Sequence, residues 1–267
     1  MTLAPPTANK RYIMIGAPVT SVRTPPLLKA FLASLGVSAE IEVRHLEPED
    51  LPGFMQDVAD DRTVDGLLVT MPHKKAIMPF VQEHATSARQ ASSANAVKRL
   101  GSGSLACAQF DGVGLVNAVL AKGVALDKAR VLLAGVGGAG LAIAHAVAAH
   151  GCARLDLIEP NRALLDQALR ALNAEHDVPV SDKLQPQAAY DLLINATPLG
   201  MNPTDEPPFK RDVIAEAGAV ADIVADPNQT QLANLVRSKG RLLITGREMV
   251  QGQVQPIGQW LLTDDDG

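Results

Sequence analysis

One segment, RVLLAGVGGAGLAIAHAVAAHG at residues 130–151, constrains the fold more than any other part of the chain. It begins with Arg130–Ala134, an apolar run of strand composition, and ends with an alanine-rich run of helix-forming residues. The pattern Gly135-x-Gly137-x-x-Gly140 joins the two runs. A strand that passes through such glycines into a helix is typical of a parallel α/β sheet that binds a dinucleotide.

Each glycine of this pattern has its own physical role. Gly135 permits a tight turn, Gly137 lets the backbone approach a pyrophosphate, and Gly140 lets the helix pack close to the strand. The unpaired N–H groups at the helix start would then face the phosphates. A glycine-rich turn without a ligand is the alternative, and the flanking strand and helix favour the binding site. The predicted cofactor-binding residues of this loop are Gly135, Val136, Gly137, Gly138, Ala139 and Gly140.

The next apolar run predicts which dinucleotide is bound. It ends at Glu159, about 20 residues after the glycines, where the fingerprint expects an acid that binds the ribose 2′-hydroxyl. Because a carboxylate there would repel a 2′-phosphate, NAD is the expected cofactor. Asn161 and Arg162 belong to the same predicted corner of the site. Arg162 could grip a 2′-phosphate, so NADP is kept as the less favoured alternative.

Short strand-like runs alternate with helical patterns along the whole chain, which predicts an α/β protein with parallel strands and crossover helices. The first series includes the strands Tyr12–Ile15 and Gly66–Val69, and a second series starts at Arg130–Ala134. A last helix is predicted at Met249–Leu262. The expected fold is therefore an N-terminal α/β domain, residues 1–104 completed by a helix in 246–267, plus a Rossmann-type parallel-sheet dinucleotide-binding domain, residues 105–245.

Composition excludes several classes of partner. The net charge is −5 and no basic run could track a phosphate backbone, so nucleic acid is not expected. No run approaches the roughly 20 apolar residues that span a bilayer, and the N-terminus lacks a signal-peptide core. We therefore expect a cytoplasmic protein, a monomer or homodimer, that binds a small molecule and no membrane.

Cysteine and histidine spacing leads to two further expectations. Cys107 and Cys152 belong to no CxxC pair, so we expect structural thiols rather than a disulfide. His145 and His150 are spaced so that they point to different faces of a helix. No metal is therefore expected.

Outside the glycine loop, the chain resembles the shikimate/quinate dehydrogenase family over nearly its whole length. No single segment is strongly specific, but six of them follow the family's order and spacing. The six segments are GAPVTSVRTP (Gly16–Pro25), VTMPHK (Val69–Lys74), FDGVG (Phe110–Gly114), NATPLGM (Asn195–Met201), DIVADPNQTQL (Asp222–Leu232) and GREMVQGQ (Gly246–Gln253).

The resemblance implies a substrate domain, a cofactor domain, a cleft between them, and hydride transfer between a nicotinamide and a secondary hydroxyl, at the 3-position, of shikimate, quinate or a related cyclic hydroxy acid. It implies that Lys74 and Asp111 are the catalytic pair. The implied substrate-binding residues are Arg23, Thr24, Thr70, Asn95 and Gln253, and the further implied cofactor-binding residues are Ala196, Thr197, Pro198 and Gly246.

Elementary chemistry agrees with these roles. Oxidation of a secondary alcohol by hydride transfer needs a group that takes the hydroxyl proton, and the reverse reduction needs the same group to return it. Lys74 would do this, while Asp111 would orient the amine and bind a hydroxyl. The structural alternatives are a solvated helix start for Lys74 and Lys75, and a helix N-cap for Asp111.

Several departures from the family pattern fall at the end of the pocket that would bind a carboxylate. Val22 and Thr24 replace two serines, and Val22 cannot hydrogen-bond an anion. We expect weak or no activity on shikimate unless Arg23 binds the carboxylate; Arg23 is equally well explained as a surface residue. The other replacements are Leu68 for an asparagine, Ala96 and Phe110 for threonines, and Ala225 for a tyrosine.

Two other functions remain open. A catalytically silent nucleotide-binding or regulatory protein would explain the altered pocket, although the retained Lys74 and Asp111 argue against it. A folate-type methylene dehydrogenase can also use two domains and a lysine, but it explains the segment Gly246–Gln253 less well.

Overall fold

A computed structural model of the chain describes residues 9–20, 22–184, 189–202, 204–224 and 230–263. The chain forms two compact units, the first made of Met1–Phe110 with Gln253–Gly267 and the second of Asp111–Gly252. The divisions predicted after residue 104 and before residue 246 lie a few residues N-terminal to those of the structure.

The first unit is built on a six-stranded sheet. Its elements in chain order are β1 (Asn9–Gly16), α1 (Thr24–Ser34), β2 (Ser38–His45), a 3-10 turn (Pro48–Asp50), α2 (Leu51–Asp60), β3 (Gly66–Val69), α3 (His73–Ala76), a second 3-10 turn (Met78–Phe80), β4 (Glu83–His84), α4 (Thr86–Ala91), β5 (Ala96–Arg99) and β6 (Leu105–Ala108).

The strand order of this sheet is β2-β1-β3-β5-β6-β4. β1 runs parallel to β2 and β3, as the alternation predicts, but β5 is antiparallel to both β3 and β6. The parallel pairing predicted for β1, β2 and β3 is therefore confirmed, whereas β5 was not predicted from the sequence. The reason for the antiparallel pairing of β5 is local: Leu100 and Ser104 close a tight turn between β5 and β6, and strands joined so closely pair antiparallel.

Both faces of the first sheet are covered, which explains why Tyr12–Ile15 of β1 and Leu67–Val69 of β3 are apolar. Ile13 and Ile15 of β1 belong to one buried cluster, with Phe54 and other α2 residues. Tyr12 and Met14 point the other way, into a cluster with Leu28 and Leu32 of α1 and with Ile257 and Leu261. This alternation is what a strand between two apolar layers requires.

The second unit contains a second six-stranded sheet. Its elements are α5 (Asp111–Ala121), β7 (Arg130–Ala134), α6 (Gly138–Ala149), β8 (Arg154–Ile158), α7 (Arg162–Glu175), β9 (Val180–Ser181), β10 (Leu192–Asn195), α8 (Arg211–Glu216), β11 (Ala219–Asp222), α9 (Gln231–Ser238), β12 (Leu242–Thr245) and α10 (Gly246–Leu262), whose last part belongs to the first unit.

All strands of the second sheet are parallel, in the order β12-β11-β10-β7-β8-β9. This is the Rossmann order, in which the chain returns to the centre after its third strand. The point of reversal lies between β7 and β10, where crossover connections leave in opposite directions. In such sheets a ligand binds at the carboxyl ends of these strands.

The α/β fold class predicted from the sequence is confirmed. The predicted last helix begins at Gly246 rather than at Met249. Of the helices in the described ranges, none combines the length and the apolar composition that crossing a bilayer requires. Cys107 and Cys152 are both buried free thiols, as expected.

Candidate active site

In the first unit, the loops that follow β1 and β3 are held side by side. Thr70 N donates to Ile15 O over 3.0 Å, and Ala17 N donates to Met71 O over 2.9 Å. A Cβ atom at Gly16 would lie 2.3 Å from Thr70 Cγ2, so only glycine fits this approach. Thr70, one of the predicted substrate residues, is therefore fixed at the carboxyl end of the sheet.

Lys74 lies in α3, one turn beyond Thr70, and its side chain is half-buried. The preceding residue, His73, is fully buried and its Nε2–H donates to Leu46 O over 2.7 Å, which anchors the short helix. Lys74 O accepts a 2.8 Å hydrogen bond from Ala94 N. The backbone of Lys74 is therefore tied to the segment that carries Asn95.

Asn95 and Gln253 form a buried pair of amides. Asn95 Nδ2 donates to Gln253 Oε1 over 2.9 Å, and Asn95 Oδ1 accepts from Phe110 N over 2.9 Å. Both side chains are about nineteen-twentieths buried. Two residues that the family resemblance implied for substrate binding are thus in direct contact, although they lie far apart in the sequence.

The segment predicted to bind a carboxylate contains a buried hydroxyl, an exposed cation and an apolar side chain. Thr24 is buried at the first position of α1, whereas Arg23, the residue before the helix, is exposed. Val22 packs on the apolar cluster of the first unit that contains Leu28 and Ile257. The same cluster includes three further positions that depart from the family pattern, namely Leu68, Ala96 and Phe110.

The glycine loop of the second unit has the predicted close approaches. Gly135 has φ +89°, and a Cβ there would lie 2.8 Å from Ala196 O. A Cβ at Gly140 would lie 2.0 Å from Gly135 O. Gly137 instead faces open space at the start of α6. Backbone N–H groups at this helix start, with the partial positive charge of the helix, can bind a phosphate that approaches over Gly137.

Glu159 closes one side of this loop. Its carboxylate accepts hydrogen bonds from Val136 N over 3.1 Å and from Asn161 N over 2.9 Å. Asn161 caps α7, since its side chain accepts from the N–H groups of Ala163 and Leu164. The carboxylate of Glu159 is therefore held against the glycine loop, directly after the end of β8.

Arg162 has two acidic partners in the described part of the chain. Its guanidinium lies 2.7 Å from Asp182 and 2.7 Å from Asp166, and the hydrogen bond to Asp182 is the main cause that raises its pKa. Both partners are carboxylates, so Arg162 already has the contacts that a 2′-phosphate would otherwise supply.

Sequence reasoning did not single out the polar network behind Ala196, Thr197 and Pro198. Asn195 Nδ2 donates to Asp222 Oδ1 over 3.0 Å, and Asn195 Oδ1 accepts from Thr197 Oγ1 over 2.6 Å. Asp222 also accepts from Thr230 Oγ1 over 2.7 Å. Burial raises the pKa of Asp222, and the hydrogen bonds oppose that rise. The signal available in the sequence was a polar residue at the end of each of two adjacent strands.

Two other predicted residues of this unit are set by close packing. Asp111 is buried at the first position of α5, and the neighbouring Gly112 leaves no room for a Cβ because Ala142 O would lie 2.3 Å away. Gly246 approaches β11 in the same way, since a Cβ there would lie 2.7 Å from Ile223 O. Ala225 lies outside the described residues.

Comparison with known proteins gives consistent matches. Residues 14–97 match the model of the shikimate dehydrogenase substrate binding domain. The chain is 31% identical over 261 residues to the shikimate dehydrogenase (NADP(+)) of Rubrobacter xylanophilus, covering 95% of this chain and 91% of that one. It is 34% identical to the enzyme of the same name from Bordetella avium, covering 92% and 88%.

Solved structures extend the comparison. The Thermus thermophilus shikimate 5-dehydrogenase, described in complex with NADP(H) and shikimate, superimposes with a TM-score of 0.81 at 26% identity, covering 95% of this chain and 93% of that one. An Ael1 enzyme from Pseudomonas putida superimposes with a TM-score of 0.85 over 95% and 93% of the two chains. At 23% identity, that second likeness concerns the fold alone.

Proposed function

We propose, since this chain belongs to the shikimate dehydrogenase family, that it transfers hydride between a nicotinamide dinucleotide and a secondary hydroxyl of a cyclic hydroxy acid, of the class that includes shikimate and quinate. The observation that supports the proposal lies in the first unit, where Ala94 N donates to Lys74 O and the next residue, Asn95, donates through Nδ2 to Gln253 Oε1. We assign substrate binding to the first unit and cofactor binding to the second.

Lys74 is the proposed proton acceptor. The nicotinamide, when bound, accepts hydride from the carbinol carbon or returns it. As the carbon–hydrogen electron pair leaves, the hydroxyl proton passes to the Lys74 amine and a ketone forms; in reduction both transfers reverse. Asn95 and Gln253, both in the first unit, orient the ring through their amides. For Asp111, the role that the family resemblance implies, binding a hydroxyl, stays a prediction.

NAD is the proposed cofactor. Glu159 supports this choice because its carboxylate stands where a 2′-phosphate would be repelled. Arg162, although largely exposed, pairs with Asp166 and Asp182, so a 2′-phosphate would compete with two carboxylates for it. Relatives of this chain are named for NADP(+), so a preference for NAD would set this member apart from them.

The proposed substrate differs from shikimate at its carboxylate end. Val22, Leu68 and Phe110, which replace polar residues of the family pattern, share one apolar cluster. Burying a carboxylate against such a surface would cost several kcal/mol without matched donors. We therefore propose a cyclic hydroxy acid whose anion is placed differently from that of shikimate and reaches the exposed Arg23 instead.

The same observation favours a second candidate, a nucleotide-binding homologue without catalytic activity. A pocket that has lost polar contacts can lose its substrate altogether. The retained Lys74 and Asp111 argue for the dehydrogenase, and turnover with any polyol would decide between the two.

The test is a steady-state assay that follows reduced nicotinamide with NAD or NADP and a panel of cyclic hydroxy acids that includes shikimate and quinate. Lys74→Ala should lower kcat by a factor of about 100 or more, because general base catalysis contributes roughly 100-fold to 10,000-fold. Lys75→Ala is the matched control, since Lys75 is the exposed neighbour on the same short helix. Cofactor binding without turnover of any compound would replace this proposal with the silent homologue.

A further inference from the structure

Three potential metal ligands lie close together in the second unit. His145 Nδ1 lies 3.0 Å from His176 Nε2 and 3.6 Å from a carboxylate oxygen of Glu175, and the three ligand atoms all lie within 4.8 Å of one another. His145 comes from α6, whereas Glu175 is the last residue of α7 and His176 follows it. Side chains from α6 and from the end of α7 therefore lie next to one another.

We propose that His145, Glu175 and His176 bind a divalent transition-metal ion, and that zinc is the ion that fits them best. Two imidazole nitrogens and one carboxylate oxygen are a ligand set that zinc accepts, with water in the fourth position. With metal–ligand bonds of about 2.0–2.2 Å in a tetrahedron, neighbouring ligand atoms are roughly 3.3 Å apart. The separations of 3.0 Å and 3.6 Å lie on either side of that value.

The two helices hold these ligands in place before any ion arrives. Ile143 and Val147 of α6 lie in the same buried cluster as Leu165 and Leu172 of α7, so the helices share a core. The backbone becomes extended at His176, and the N–H of His176 still donates to Leu172 O over 3.0 Å. This turn keeps the His176 side chain beside the helix end.

The segment after the ligands is also anchored. Asn173 Nδ2 donates to Val180 O over 3.2 Å, and Asn173 Oδ1 accepts from Val180 N over 3.4 Å. These bonds close the short loop between α7 and β9. Glu175 is exposed, which leaves a route for an ion from solvent, while His145 is 4% exposed and gives the site a buried wall.

The expectation of no metal rested on the spacing of His145 and His150 within one helix. The fold instead pairs His145 with His176, directly after the next helix, and local spacing cannot reveal this contact. A bound ion would tie α6, the helix that follows the glycine loop, to the end of α7. The role inferred for the ion is therefore structural stabilisation of the second unit.

The experiment uses untagged protein stripped with a chelator and titrated with zinc or cobalt. We expect one ion per chain, a rise in the unfolding temperature, and visible cobalt absorption of the tetrahedral kind. His176→Ala should weaken zinc binding by about 100-fold or more and abolish the temperature shift. His150→Ala, an exposed histidine at the end of α6, should bind as the parent does.

A second control tests whether zinc binds at an exposed histidine elsewhere on the surface. His45 and Glu47 form an exposed pair 2.8 Å apart, so His45→Ala should leave zinc binding unchanged. If His176→Ala does not fold, Glu175→Gln, which removes an exposed carboxylate, must still lower the zinc affinity. Absence of saturable binding, loss of binding in His45→Ala, or undiminished binding in both Glu175→Gln and His176→Ala would each overturn the proposal and leave the two histidines as a hydrogen-bonded pair.

Discussion

The side-chain amide of Asn95 donates a 2.9 Å hydrogen bond to Gln253 Oε1, joining the residue before β5 to the helix that ends the chain. Because both side chains are buried, this hydrogen bond fixes the orientation of each amide. The contact also holds the part of α10 that belongs to the first unit, where Ile257 and Leu261 complete the apolar cluster.

Gln253→Ala should lower kcat/KM by about 10-fold to 100-fold, because a buried hydrogen bond and a substrate contact worth roughly 1–3 kcal/mol are lost. The measurement is the steady-state assay with the best substrate found. Gln255→Ala is the control, since this glutamine lies two residues on in the same helix and is exposed. Equal effects of the two changes would contradict a substrate-binding role for Gln253.

Glu159→Gln should shift the cofactor preference toward NADP. The change removes the negative charge that opposes a 2′-phosphate but keeps an oxygen that can accept from Val136 N. We expect the ratio of kcat/KM for NADP to that for NAD to rise about tenfold, equivalent to about 1.4 kcal/mol. Glu216→Gln, an exposed acid at the end of α8, controls for the change in net charge. An unchanged ratio would show that Glu159 does not select the cofactor.

Gly140→Ala and Gly137→Ala should separate stability from binding. At Gly140 the added Cβ would lie 2.0 Å from Gly135 O, so denaturant unfolding should show a loss of about 1–3 kcal/mol from overpacking. At Gly137 the Cβ would meet nothing within 4 Å, so stability should change little. It would nevertheless stand where the pyrophosphate approaches, so dinucleotide affinity should fall. A stable Gly140→Ala protein would show that helix and strand have room to move apart.

The glycine loop shows how far local sequence can predict this structure. Gly135 and Gly140 are required by contacts between neighbouring elements, so strand, turn and helix could be inferred from one continuous segment. The direction of β5 could not be inferred in this way, because its antiparallel pairing follows from a tight turn rather than from the alternation of apolar runs. A short strand carries too little pattern to reveal its direction.

Contacts between distant residues set the second limit. The Asn95–Gln253 pair was expected only as a pair of separate substrate ligands implied by the resemblance, and nothing in either segment indicates that they touch. His145 and His176 are an equally clear case. Pairings of this kind depend on how helices and strands pack, and one sequence without that packing leaves them undetermined.

Asp222→Asn tests the buried network at the end of β11 through pH. Burial raises the pKa of Asp222 above its usual value near 4, against the opposing hydrogen bonds from Thr230, Val224 and Asn195. The folded protein therefore binds this proton more tightly than the unfolded chain does. The stabilisation that the protonated Asp222 carboxyl gives the fold is complete below the pKa that this group has in the unfolded chain. It is lost as pH rises through the pKa that the group has in the folded protein. In the variant this loss disappears, because its amide does not titrate.

The free energy of unfolding of Asp222→Asn, relative to the parent, should therefore rise with pH from about pH 4 upward and then level off. Denaturant unfolding at a series of pH values measures it. Asp205→Asn is the control of opposite sign, since backbone hydrogen bonds from Asn202 and Gly200 lower the pKa of Asp205, and its relative stability should fall over the acid range as pH rises. A flat difference for Asp222→Asn would mean that the hydrogen bonds from Thr230 and Asn195 fully offset burial, and that the carboxylate is charged at no cost to the fold.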